Sequence, residues 1–137
     1  MPKLELFDQS IRLLEKTLDM RQRNQEVIAS NIANAETPGY TPSRLEFEEQ
    51  LRQALKPLPG APAATHPVHF PIGSGDLSGV RGKVIREPDT LGFGDRNGVD
   101  LEREMIALAE NQLLYETATQ VISKKLGLLK YVAQNGQ

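Results

Sequence analysis

A mainly α-helical, elongated fold is what this sequence predicts, and three observations carry the prediction. Apolar residues recur at steps of three and four near the N-terminus. They do so again near the C-terminus, and the period vanishes in between, where prolines and glycines concentrate. At 137 residues, with 39% hydrophobic but only 5% aromatic residues, the chain supports one lean core and an extended unit.

The first period runs through Leu4, Phe7, Ile11, Leu14, Leu18, Ile28, Ile32 and Ala35, which places these residues on one helical stripe. A helix from Leu4 to Ala35 is about 48 Å long at about 1.5 Å per residue, too long for a compact domain of this size. Arg21 and Gln25 fall on the same stripe; polar residues in a seam cost stability but fix register and partner. Asn31 and Asn34 stand one turn apart just before the helix ends. Either their amides meet the free carbonyls of that end, or they hydrogen-bond a neighbouring helix.

Pro38 lacks an amide proton and steers Thr37 away from helical geometry, while Gly39 accepts the positive φ that a type II turn needs at its third position. The helix therefore stops near Glu36, in a turn running from Thr37 to Tyr40. Ser43 and Glu46 have the spacing of a capping box and predict a short second helix with Phe47, Leu51, Ala54 and Leu55 on its apolar face, closed by Pro57 and Pro59. From Pro57 to Gly98 lie six of the nine prolines and eight of the eleven glycines, which predicts an irregular segment. Val84-Ile85 and Val68-His69-Phe70 are candidate short strands within it.

Order returns at Asp100, a good N-cap, followed by Glu102 and Glu104 in the first turn, where the helix dipole favours negative charge. The second long stripe is Leu101, Met105, Leu108, Gln112, Tyr115, Thr119, Ile122, Leu126, Leu129 and Ala133, interrupted by the polar Gln112 and Thr119. Lys124, Lys125 and Lys130 suit its C-terminal end. This helix, Asp100 to Gln134, is about 52 Å long, close to the first, so the two can pair as a coiled-coil-like hairpin. The organisation expected is a terminal helix over 1–36, a turn and short helix over 37–56, an irregular middle over 57–98 and a terminal helix over 99–137.

Ordering a residue costs about 1–2 kcal/mol of backbone entropy, against about 1.5–3 kcal/mol gained per fully buried large apolar side chain. A lone two-helix pair buries each stripe only partly, so the seams favour an assembling subunit over a self-sufficient hairpin. A soluble helical binding module, such as a secretion chaperone or regulator, is the alternative.

Composition argues against several functions. The charge of −2, from 16 basic and 18 acidic residues, offers no basic field for nucleic acid. No cysteine is present, and His66 and His69, split by Pro67, have no carboxylate within five residues to complete a metal site. The glycines at 73, 75, 79 and 82 lack the Lys-Ser or Lys-Thr of a phosphate loop. Glu48-Glu49 reads as a solvated helix face, and no catalytic constellation or cofactor motif stands out. The N-terminus has no uninterrupted apolar region of a secretory signal, and no stretch has the roughly 18 apolar residues a membrane span needs.

SNIANAETPGY, residues 30–40, resembles the signature of the axial proteins of the bacterial flagellum: an N-x-A-N core (Asn31, Ile32, Ala33, Asn34) and a Thr37-Pro38-Gly39-Tyr40 turn. Thr65 to Phe70 (THPVHF) and Asn97 to Met105 (NGVDLEREM) are similar to elements of the proximal rod proteins of that family. The resemblance implies a structural subunit without a cofactor, built into the basal-body rod. It further implies export by the flagellar type III apparatus, terminal helices packed into a periplasmic tube that carries torque, and contacts with other rod proteins and the adaptor FliE.

Overall fold

The computed structural model describes residues 2–56, 77–87 and 98–136; the side chains of residues 2–7, Leu4 and Phe7 among them, lie outside the description. So do the THPVHF element with its two histidines and the candidate strand at 68–70. The element order is α1 (Pro2–Ala33), β1 (Ser43–Glu46), α2 (Glu48–Ala54), a single 3-10 turn (Leu77–Gly79), β2 (Lys83–Arg86) and α3 (Leu101–Asn135). The fold is mainly helical, with two long terminal helices and a small two-stranded sheet.

α1 ends at Ala33, three residues before the expected Glu36. The Asn34 amide donates to the Ser30 and Asn31 carbonyls at 3.1 and 3.2 Å, and the chain then turns at Thr37–Tyr40, closed by the Tyr40 amide on the Thr37 carbonyl at 3.2 Å. Gly39 takes φ +75° there. α3 begins one residue after Asp100, whose carboxylate accepts the Arg103 amide at 3.2 Å as an N-cap.

Between the helices one expectation fails. Ser43 to Glu46 is a strand and not a capping box: it pairs antiparallel with β2, Ser43 opposite Arg86 and Glu46 opposite Lys83. The Ser43 amide bonds the side chain of Asn31 in place of a helix-start partner. α2 therefore starts later, at Glu48, behind Phe47. Val84 and Ile85 do form a strand.

The small apolar core joins the sheet to α1. Met20, Leu45, Phe47 and Val80 are buried, with Val27, Leu51, Ala54 and Leu77 packed around them, while Leu55 of the predicted face stays exposed. The Arg21 guanidinium lies 4.9 Å from the Phe47 ring centroid and pairs with Glu48 at 2.9 Å, so a charged residue of α1 closes the edge of this core. The entry to β2 is fixed by Gln50, whose Oε1 accepts the amides of Arg81 and Gly82 at 3.2 and 3.0 Å, and by Arg23, which donates to the Arg81 carbonyl at 2.6 Å.

Gly82 holds φ +70°, and a Cβ added to it would meet Leu45 Cδ1 at 2.9 Å. Gly127, in the middle of α3, has open space where its Cβ would be. In urea unfolding of the full chain, Gly82→Ala should therefore lower stability by about 1–3 kcal/mol, whereas Gly127→Ala should raise it by up to about 1 kcal/mol.

Candidate functional site

The motif that ends α1 is also where α1, the following turn, β1 and α3 meet. Asn31 is 0% exposed and all four of its hydrogen-bonding positions are used. Its Nδ2 donates to the Ser43 carbonyl at 2.8 Å and to Glu104 Oε2 at 3.1 Å. Its Oδ1 accepts from the Ser43 amide at 2.9 Å and from the Tyr40 hydroxyl at 3.2 Å. The side chain thus mimics a strand backbone toward β1 while also bonding the turn and the far helix.

Glu104, 1% exposed, is the counterpart on α3. Arg44 of β1 reaches it with two nitrogens, NH2 to Oε1 at 2.7 Å and NH1 to Oε2 at 3.3 Å. The Arg44 Nε also bonds Glu87, just beyond β2, at 3.1 Å, and Arg103 lies 3.9 Å from the same carboxylate. A buried carboxylate is tolerated because it is paired with a forked guanidinium and hydrogen-bonded by an amide.

One heptad further along the pair, Asn24 Nδ2 donates to Asn111 Oδ1 at 3.0 Å, and Asn111 Nδ2 donates to the Arg21 carbonyl at 2.8 Å. Asn31 opposite Glu104 and Asn24 opposite Asn111 establish that α1 and α3 run antiparallel. The three largest fully buried side chains of the described residues are Asn31, Glu104 and Asn111, all polar. They act as a clamp that fixes one end of the helix pair in register.

The two asparagines of the motif divide the roles open to them. Asn31 bonds the neighbouring helix. Asn34 bonds its own helix end, its Nδ2 donating to the Ser30 carbonyl at 2.8 Å, and its Oδ1 accepts the Thr37 hydroxyl at 3.2 Å. Ile32 is half-buried, and Thr37, Pro38 and Gly39 are exposed at the turn, with Tyr40 folded back on Asn31.

On α3 the face turned to α1 is displaced by one residue from the predicted stripe. Glu104, Asn111 and Ala118 are buried, with Leu108, Tyr115, Ile122, Lys125 and Leu129 half-buried beside them. Leu101, Met105, Gln112, Thr119 and Leu126 are exposed; the last four each sit about 100° of helical rotation beyond a seam position. Within the chain, then, Gln112 and Thr119 do not lie in the seam. Gln112 bonds Glu116 and Thr119 bonds the Tyr115 carbonyl, both along their own helix. On α1, Ile28 is buried, and Ile11, Leu14, Leu18, Arg21 and Gln25 are half-buried. Sequence reasoning passed over Asn24, Arg44 and Asn111 and gave Glu104 only a dipole role. The signal available was spacing: Asn24 to Asn31 and Glu104 to Asn111 are each one heptad.

Among the described residues no group of three or more acidic, histidine or cysteine side chains could hold a metal, and no helix is long and apolar enough to cross a membrane. The surface clefts are open and shallow in chemistry. A polar one of about 480 Å³ is bounded by Arg21, Asn24, Phe47, Glu48 and Lys83 and offers no nucleophile beside a base. The arrangement holds elements together; it is built for structure.

Two long antiparallel helices strapped by a small sheet, with the signature asparagine at their junction, define a structural subunit of the helical axial kind. The profile of the family described as "Flagella basal body rod protein" matches residues 11–41, which contain the asparagine motif and the turn. The chain is 33% identical to the flagellar basal body rod protein FlgB of Aeromonas hydrophila, over 90% of this chain and 92% of that one. It is 31% identical to FlgB of Salmonella typhimurium, over 97% and 99%, and 30% identical to FlgB of Bacillus subtilis, over 98% and 100%. The chain belongs to the FlgB family of flagellar basal body rod proteins. It is a structural subunit of the basal-body rod, from a family that is not enzymatic.

A double-mutant cycle reads the clamp directly. Arg44→Met alone should cost about 3–5 kcal/mol, because it leaves the buried Glu104 carboxylate without a counter-charge, and Glu104→Met should cost less, because Arg44 keeps Glu87; the double variant should cost clearly less than the sum, with a coupling of about 1–3 kcal/mol in chemical unfolding. Additive losses would show that the pair is not coupled. Asn31→Asp, which sets a second carboxylate against Glu104, should destabilise the chain more than Asn31→Ala.

Proposed function

We propose that this chain builds the proximal part of the rod by burying the open flank of its helix pair against neighbouring subunits. The observation that carries this reading is that the clamp turns Leu101, Met105 and Leu126 out of the intrachain seam; Met105 is 58% and Leu126 50% exposed. Apolar side chains left in water along about 38 Å of helix are what an assembling surface requires. Leu108, Tyr115, Ile122 and Leu129, half-buried at the edge of the pair, complete that surface, and the half-buried Ile11, Leu14 and Leu18 supply its α1 side.

Gln112 and Thr119 stand between Met105 and Leu126 on the flank, where their polarity selects register between subunits, with Arg21 and Gln25 in the same role on α1. The terminal segments 1–36 and 99–137 then form the coiled-coil-like assembly unit, and the turn and short helix over 37–56 lock it. Partners are further copies of this chain, other rod proteins and the adaptor FliE at the inner-membrane ring. The chain reaches its place in the periplasm through the flagellar type III export apparatus, and the finished rod transmits torque.

Complementation of cells lacking the chain tests this reading. Met105→Glu with Leu126→Glu should leave helix content and thermal midpoint of the purified chain near wild type, yet abolish swimming and incorporation into isolated basal bodies. Normal incorporation of a folded variant would exclude the flank as the assembling surface. Gln112→Leu should preserve export and strengthen association while loosening the choice among rod partners in pairwise binding.

A further inference from the structure

α3 carries a second apolar face that neither α1 nor the open flank uses. Ile106, Leu113, Leu128 and Val132 are 62 to 64% exposed, Tyr131 is 66% exposed, and Leu114 and Val121 also face water. Ile106 and Leu113 stand two residues after Glu104 and Asn111, so this face lies about 200° round the helix from the clamp, on the far side from α1. From Ile106 to Val132 it extends about 39 Å.

Charge along α3 is divided between its halves. Exposed Glu102, Glu110 and Glu116, with the single base Arg103, occupy the first half, whereas from Ala118 to Asn135 there is no acid, and Lys124 and Lys130 are exposed. We propose that this outer face is a self-association surface, on which two copies of the chain pair through α3 in antiparallel orientation about a twofold axis between Thr117 and Val121. The pairing concerns the free protein in solution and does not depend on the rod reading.

The sequence of the face is self-complementary in that orientation. With Thr117 beside Val121 of the partner subunit, Leu113 falls between Val121 and Leu128 of the partner subunit, and Ile106 falls beside Val132 of the partner subunit. Glu110 then comes within one turn of Lys124 of the partner subunit, twice by symmetry. A parallel pair in register would instead set Glu110 on Glu110 and Lys124 on Lys124, placing like charges together over both halves. Unlike a head-to-tail contact, an isologous pair closes on itself and covers the same face on both copies.

Sedimentation equilibrium of the full-length chain should show a reversible monomer–dimer equilibrium. Leu113→Glu should weaken it at least about 10-fold while circular dichroism retains the helices, and Glu110→Lys alone should weaken it about 3- to 10-fold, an effect the added Lys124→Glu reverses. The absence of cysteine gives a clean background for orientation. A short thiol crosslinker should join two Thr117→Cys chains to each other but not two Tyr131→Cys chains. A monomer at all accessible concentrations, no rescue by the charge swap, or efficient self-crosslinking through position 131 would each overturn the proposal.

Discussion

The structure depends on one saturated amide. Asn31 offers two protons and two lone pairs, and α3, β1 and the turn after α1 take all of them. Because the group is fully buried, each unmade bond carries a desolvation cost of about 1–3 kcal/mol, so any arrangement that misplaces one of these elements is penalised. An apolar residue at the same place gives no such discrimination: leucine packs against many neighbours at several offsets. The pairing of α1 with α3 is therefore specified by polar geometry more than by hydrophobic area.

That choice suits a chain whose apolar residues have two tasks. The buried core is small and sits where the sheet meets α1, around Met20, Leu45, Phe47 and Val80. Much of the apolar surface of α3 is left outward, on the flank with Met105 and Leu126 and on the far face with Leu113 and Leu128. A helix apolar on several sides can pair in more than one rotation about its axis. Glu104 and Asn111 remove that freedom, since rotating either away from α1 would cost Asn31, Arg44 or Asn24 its partner on α3. The buried ions themselves need not stabilise the fold to do this, and their best-attested use is register.

Sequence alone conveyed the parts of the fold governed by local chemistry. The two terminal helices, the Pro38-Gly39 turn, the Asp100 cap and the strand at Val84-Ile85 follow from backbone rules that act within a few residues. Ser43 to Glu46 misled because the same serine-to-glutamate spacing satisfies a helix start and tolerates a strand, and the partners that decide, β2 and the Asn31 side chain, lie about 12 to 43 residues away. The facing side of α3 was displaced by one residue for a related reason. A stripe is read by following apolar residues, and here the positions that meet α1 include glutamate and asparagine. The functional motif was legible as a motif; the reason for its first asparagine became visible only once Glu104 and Ser43 were brought to it.

Hydrogen exchange of the side-chain amides, followed by NMR on the full chain, tests the central role of Asn31 most directly. Both Nδ2 protons of Asn31 should exchange at least about 100-fold more slowly than those of the exposed Gln112, at a rate close to the backbone amides of the core. Exchange of the Asn31 protons as fast as those of Gln112, in a chain whose helices are intact, would contradict the clamp.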